Sequence, residues 1–228
     1  MELKPLKRIG AYEQYKLKDF KELSNGLLAR LHKEWPDGAT HTVFQFGDKI
    51  NDEHRLAKSI SHKYNVAIIY SAKPGQIKSD GPNLPKAFNE GVLSRKTLRA
   101  LFDKQSKQVY KKVKKLTPAY IKEHKLAVKL LENSRHLCLY KNGRFAALYI
   151  MVQRNNYLGK KCDWGLWMWS EPFLSSRENN AMLAYWFNWM KKTRLPVELK
   201  TRSFGIAAQK FMRKHGFEPK YVTVAKIV

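Results

Sequence analysis

VELKTRSFGIAAQKFMRKHGFEP, running from Val197 to Pro219, holds a β-rich run, a turn, an amphipathic run and an abrupt stop at His215-Gly216-Phe217. Val197 to Lys200 reads as a strand, and Phe204 to Lys214 as a helix with Phe204, Ala208, Phe211 and Met212 turned inward. Gly216 stands where a helix needs a left-handed residue to end, with Phe217 folding back onto the last turn. Tyr221 to Val228 supplies a further strand, so the stretch predicts an alternating strand–helix–strand unit.

Working backwards, Pro196 stops a helix predicted from about Asn179 to Lys192, with Met182, Trp186, Trp189 and Met190 on its buried side. Ser175-Ser176-Arg177-Glu178 offers caps and an acid for its first turn. Upstream, His136–Tyr140 and Arg144–Val152 flank Lys141-Asn142-Gly143, and Asn-Gly between two apolar runs marks a hairpin. Lys161 to Ser170 is a third, aromatic strand, whose Trp164, Trp167 and Trp169 are read as core residues before base-stacking ones.

The chain before residue 135 differs in composition. Residues 1 to 54 are nearly balanced in charge, and Phe20, Leu23, Leu27, Leu28 and Leu31 recur at helical spacing ahead of Trp35-Pro36. Thr40–Phe46 and Val66–Tyr70 read as strands, and residues 73–93, with three Pro and three Gly, as a loop. From Arg95 to Lys129 there are twelve Lys or Arg and two acids, Asp103 and Glu123. Ser94 caps a helix there whose Leu98, Leu101, Phe102, Val109, Val113 and Leu116 share one arc. Lys96, Lys104, Lys107, Lys111, Lys114 and Lys115 share the other, with Lys112 beside them, and a second helix restarts at Thr117-Pro118. The expected divisions are therefore residues 1–93, a basic helical segment 94–134 and a strand–helix core 135–228.

The net charge is +25 on 228 residues. Like charges at i, i+3 and i+4 destabilise their own helix by about a few tenths of a kcal/mol per pair, so the lysine row calls for a polyanionic partner. Nucleic acid, DNA or RNA, fits that better than a membrane surface, because the apolar arc lacks the Trp of an interfacial helix. No run of 18 apolar residues and no apolar leader occurs, so the expectation is a cytoplasmic protein without a membrane segment. Cys138 and Cys162 cannot build a disulfide framework, and the spacing of the seven histidines suggests no metal site.

The order hairpin, third strand, helix, strand, Gly-Phe-capped helix and final strand over residues 135–228 resembles the GNAT superfamily of acyl-CoA-dependent N-acyltransferases. Ala207, Ala208, Phe211, Gly216 and Phe217 stand where that family places its small, aromatic and Gly-Phe residues. The resemblance implies an α/β fold with a mixed, mostly antiparallel sheet flanked by helices, the basic segment preceding or inserted in it. It also implies acetyl-CoA or another acyl donor, its phosphate held by Ser175, Ser176, Arg177 and Asn179 at a helix N-terminus. Asp163, Glu171 and Tyr149 are then the candidates for proton transfer at the acceptor. Two features depart from the family pattern: Asn180 and Met182 replace the phosphate-loop glycines, and Met212 replaces the tyrosine that protonates the leaving thiolate.

Combined with the charge, the resemblance points to transfer of an acyl or related group to a nucleobase or to aminoacyl-tRNA. A divergent branch similar to the phage Mu Mom-type proteins, which modify DNA on a similar fold, is its precedent. A non-catalytic nucleic-acid binder on the same scaffold, and an ordinary acetyl-CoA-dependent N-acetyltransferase of a protein or small molecule, stand beside it.

Overall fold

The computed structural model describes residues 7–9, 12–17, 20–34, 41–46, 64–79, 81–112, 127–202 and 206–226. Its chain forms two compact bodies, one of residues 1–71, 155–160 and 199–228, the other of 72–154 and 161–198. Both are built of strands and helices, and antiparallel pairing predominates among the described strand pairs, with a parallel one beside it. This is the α/β fold with a mostly antiparallel sheet and flanking helices that the sequence predicts.

In the first body, strands β1 (Lys7–Ile9), β2 (Tyr12–Leu17), β3 (His41–Phe46), β4 (Tyr64–Ala72) and β10 (Glu218–Lys226) lie in the order β1-β2-β3-β10-β4. β2 and β3 run parallel, and β10 pairs antiparallel with both β3 and β4. Helix α1 (Asn25–Glu34) starts at Ser24, whose hydroxyl accepts from Leu27 N at 3.3 Å, and buries Leu27, Leu28 and Leu31. Phe20, predicted on that helix, belongs to a separate 3-10 turn, Phe20–Glu22. β1 and β2 have no counterpart in the sequence reading, because Tyr12–Leu17 alternates too weakly to signal a strand and gains its stability from β3.

Helix α4 (Ile206–Lys214) ends as its sequence predicts. Gly216 has a positive φ of 83°, Phe217 N donates to Met212 O at 3.0 Å and Gly216 N to Arg213 O at 3.1 Å, while the Phe217 ring is buried. Its inward face carries Gln209 and Met212, with Phe211 half-buried, and Ala208 is exposed rather than inward. An alanine methyl offers far less apolar area than a methionine, so Met212 sets the helix phase.

The second body orders its strands β8 (Lys161–Ser170), β7 (Arg144–Asn155), β6 (Ser134–Lys141) and β5 (Phe88–Gly91), with β6 antiparallel to both β5 and β7. Asn142 (φ 48°) and Gly143 (φ 78°) make the tight turn between Lys141 and Arg144, as Asn-Gly predicts. β5 lies inside the stretch read as a loop; its Asn89, Glu90 and Gly91 carry no β-rich signal, and pairing with β6 supplies it.

Every residue of β7 from Ala146 to Val152 is buried because helices cover both faces. Leu148 and Ile150 face helix α2 (Arg95–Lys112), packing with Leu98, Phe102 and Cys138. Tyr149, on the other face, stacks at 4.8 Å on Trp186 of helix α3 (Ser176–Met190). β9 (Val197–Arg202) gives its first two residues to this body and the rest to the first.

Candidate functional site

Two positive features of the second body invite an anion: the N-terminus of α3 and the solvent face of α2. They are built differently.

At α3 the cap is complete. Glu178 N donates to Ser175 Oγ at 3.3 Å, and Ser175 N donates back to the Glu178 carboxylate at 3.0 Å, a reciprocal pair that satisfies two otherwise orphaned amides. Lys141, from the hairpin, reaches the same carboxylate at 2.6 Å. The Lys141 ammonium and the Ser175 N–H hold the Glu178 carboxyl down at about 2. Ser176 and Arg177 are exposed, and Asn179 bonds the carbonyl of Leu174 through its side-chain amide at 3.5 Å. The chain thus places its own carboxylate, ionised and paired, on the helix N-terminus. A pyrophosphate there would meet that charge and the exposed side chain of Asn180, so the residues present do not fit an acyl-CoA pyrophosphate.

The three proton-transfer candidates lie apart in role. Tyr149 is buried against Trp186, and burial pushes its phenol far above the ordinary tyrosine range. Glu171 is half-buried, accepts the Trp169 indole N–H at 3.1 Å and donates its backbone N–H to Ala146 O at 2.9 Å. Asp163 has one carboxylate oxygen on Arg135 at 3.2 Å and on the Thr193 hydroxyl, and its backbone N–H goes to Pro196 O at 2.9 Å. Its other oxygen, Oδ1, is buried without a partner among the described residues. Burial raises the Asp163 carboxyl above the usual range, and Arg135, itself lying over Trp189 at 5.5 Å, opposes that rise. Asp163 therefore joins β6, β8 and the connection after α3. Spacing alone missed Arg135 and Thr193, which lie 28 and 30 residues away along the chain.

The first half of the apolar arc, Leu98, Leu101 and Phe102, lies on α2 as predicted, while the Val109 side chain, Val113 and Leu116 lie outside the described residues. Ser94 caps it, accepting from Thr97 N at 3.1 Å. Leu98 and Phe102 are buried, Leu101 half-buried, and Gln105 and Ser106 are buried too. Gln105 accepts the Trp167 indole N–H at 2.8 Å, and Phe102 meets the Trp167 ring edge-on at 5.0 Å. Trp164 is buried beneath Arg154, so both tryptophans serve packing.

Arg95, counted in the basic segment, turns away from the row. Its guanidinium donates to the carbonyls of Leu131 and Ser134 at 2.8 and 3.1 Å. Lys96, Arg99, Lys104 and Lys107 are exposed, and none of them pairs with a carboxylate among the described residues. The side chains of Lys111 and Lys112, and the whole of Lys114, Lys115 and the helix predicted from Thr117, lie outside the described residues. No described group of three or more His, Cys, Asp or Glu could hold a metal ion, and no described helix is long and apolar enough to cross a membrane.

No family model matches the chain, and no curated protein does. Among solved structures it is similar to a GCN5-related N-acetyltransferase from Kribbella flavida, at 9% identity and a TM-score of 0.44 over 94% of this chain and 81% of that one. It is similar also to one from Sphaerobacter thermophilus, at 13% identity and 0.43 over 98% and 75%. A third, an acetyltransferase of the GNAT family from Colwellia psychrerythraea, is 14% identical at 0.46 over 95% and 78%. Likenesses of this strength leave the chemistry to be read from the chain's own residues.

Proposed function

We propose that this protein binds nucleic acid on a GNAT-like scaffold, with α2 as the docking element. The observation that carries the proposal is the exposed row Lys96, Lys104 and Lys107, unpaired with acids among the described residues, on a chain of net charge +25. A phosphate backbone supplies the counter-charge that the protein withholds. The self-closed N-terminus of α3 and the methionine at position 212 favour binding without acyl-CoA chemistry.

The element order from β6 to β10, which follows that of the N-acyltransferases, supports a second reading. In it the protein transfers an acyl or related group to a nucleobase or an aminoacyl-tRNA. Ser175, Ser176, Arg177 and Asn179 then hold the donor, and Asp163, Glu171 or Tyr149 moves the proton. A Mom-like departure from acetyl-CoA use belongs to this reading.

Native mass spectrometry with acetyl-CoA, a short DNA duplex and tRNA, at two salt concentrations, separates the readings. The first expects salt-sensitive nucleic-acid complexes and no CoA adduct. A stable CoA adduct together with nucleic acid favours transfer, and no nucleic-acid complex at low salt overturns both.

A further inference from the structure

The row on α2 consists of lysine. At roughly 100° per residue, Lys96, Lys104 and Lys107 fall within an arc of about 80°, and Ala100, inside that arc, leaves the surface between them open. Reading bases in a groove takes planar or bidentate groups: arginine on guanine, asparagine or glutamine on adenine. The described part of α2 has such groups, and places them elsewhere. Gln105 is buried, with its oxygen on Trp167. Arg95 is spent on the carbonyls of Leu131 and Ser134. The Thr97 hydroxyl is bonded to Ser94 Oγ at 2.9 Å. Arg99 lies about 60° around the helix from Lys96, outside the row's arc. Asp103, the acid of the described helix, is half-buried at the row's edge. What faces outward along the row is therefore a set of ammonium groups, compact point charges that match a phosphate oxygen in any orientation and distinguish no base.

We infer that α2 holds the phosphate backbone of nucleic acid without reading its sequence. The inference rests on the nucleic-acid reading above and sharpens it. Any choice of target base or target molecule must come from another part of the protein.

The test is fluorescence anisotropy on the full chain with two labelled duplexes of equal length and scrambled sequence, titrated across salt, for the natural protein and for Lys104→Gln/Lys107→Gln. Anionic phospholipid vesicles serve as a second probe. The expected result is equal affinity for the two duplexes within about twofold. The double variant should also lower the slope of log affinity against log salt by about 1.8, at 0.9 per lost phosphate contact, equally on both duplexes. Circular dichroism and thermal melting of the variant exclude misfolding as the cause, since both side chains are exposed. Duplex binding with a tenfold sequence preference lost in the variant, or with an unchanged slope, overturns this inference and leaves nucleic-acid binding standing. Binding of vesicles with no salt-sensitive binding of either duplex overturns the nucleic-acid reading itself.

Discussion

The N-terminus of α3 and the outer face of α2 are both electropositive, and the chain treats them in opposite ways. At α3, Glu178, Ser175 and Lys141 answer one another, and the helix end is satisfied from within. On α2, Lys96, Lys104 and Lys107 are left facing solvent without an ion pair to a described acid. A positive feature predicts a ligand only where the protein has not provided its own counter-charge. Substitutions around α3 should therefore cost stability and spare nucleic-acid binding, and substitutions on the α2 row should do the reverse.

The largest expected loss is at Trp186. Replacing it by alanine removes a buried ring stacked on Tyr149 and should lower unfolding free energy by about 3–5 kcal/mol in urea titrations. Next is Gly81, whose added Cβ would stand 2.6 Å from the Ala184 Cβ of α3. Gly81→Ala should cost about 1–3 kcal/mol, and adding Ala184→Gly should recover part of it. Ser175→Ala removes the cap and should cost about 1 kcal/mol, with nucleic-acid affinity unchanged. A large affinity loss in that variant would break the contrast and make the α3 end a binding site.

Smaller again is the pH effect of Glu178. Its carboxyl is held at about 2 in the folded chain against 4.5 ordinarily, so its stabilisation is present in full above about pH 4.5 and is lost as pH falls through about 2. The melting-temperature gap between the natural protein and Glu178→Gln should be constant above pH 4.5 and close by pH 2. Smallest is the effect of Lys104→Gln/Lys107→Gln on stability, expected within about 0.5 kcal/mol while binding falls.

What the sequence made legible was local chemistry. Asn142-Gly143, Ser175 with Glu178, Ser94, and Gly216-Phe217 each act over a few residues, and each stands where it was expected. Elements that depend on remote partners were not legible. β2 needs β3, and β5 needs β6, about fifty residues on, for its stability. The candidate sites followed the same rule. The cap and the described part of the ridge, Lys96, Lys104 and Lys107, were readable, whereas the capture of Glu178 by Lys141, of Gln105 by Trp167 and of Asp163 by Arg135 and Thr193 requires the folded chain. Those long-range pairs decide which charges remain free for a ligand.

The contrast can be measured in one experiment: lysine labelling by reductive methylation, read residue by residue by mass spectrometry, with and without a saturating DNA duplex or tRNA. Protection of Lys96, Lys104 and Lys107, with Lys141 unchanged, is the result expected. Protection of Lys141, which pairs with Glu178 at the start of α3, with the α2 lysines labelled as before, would contradict the account.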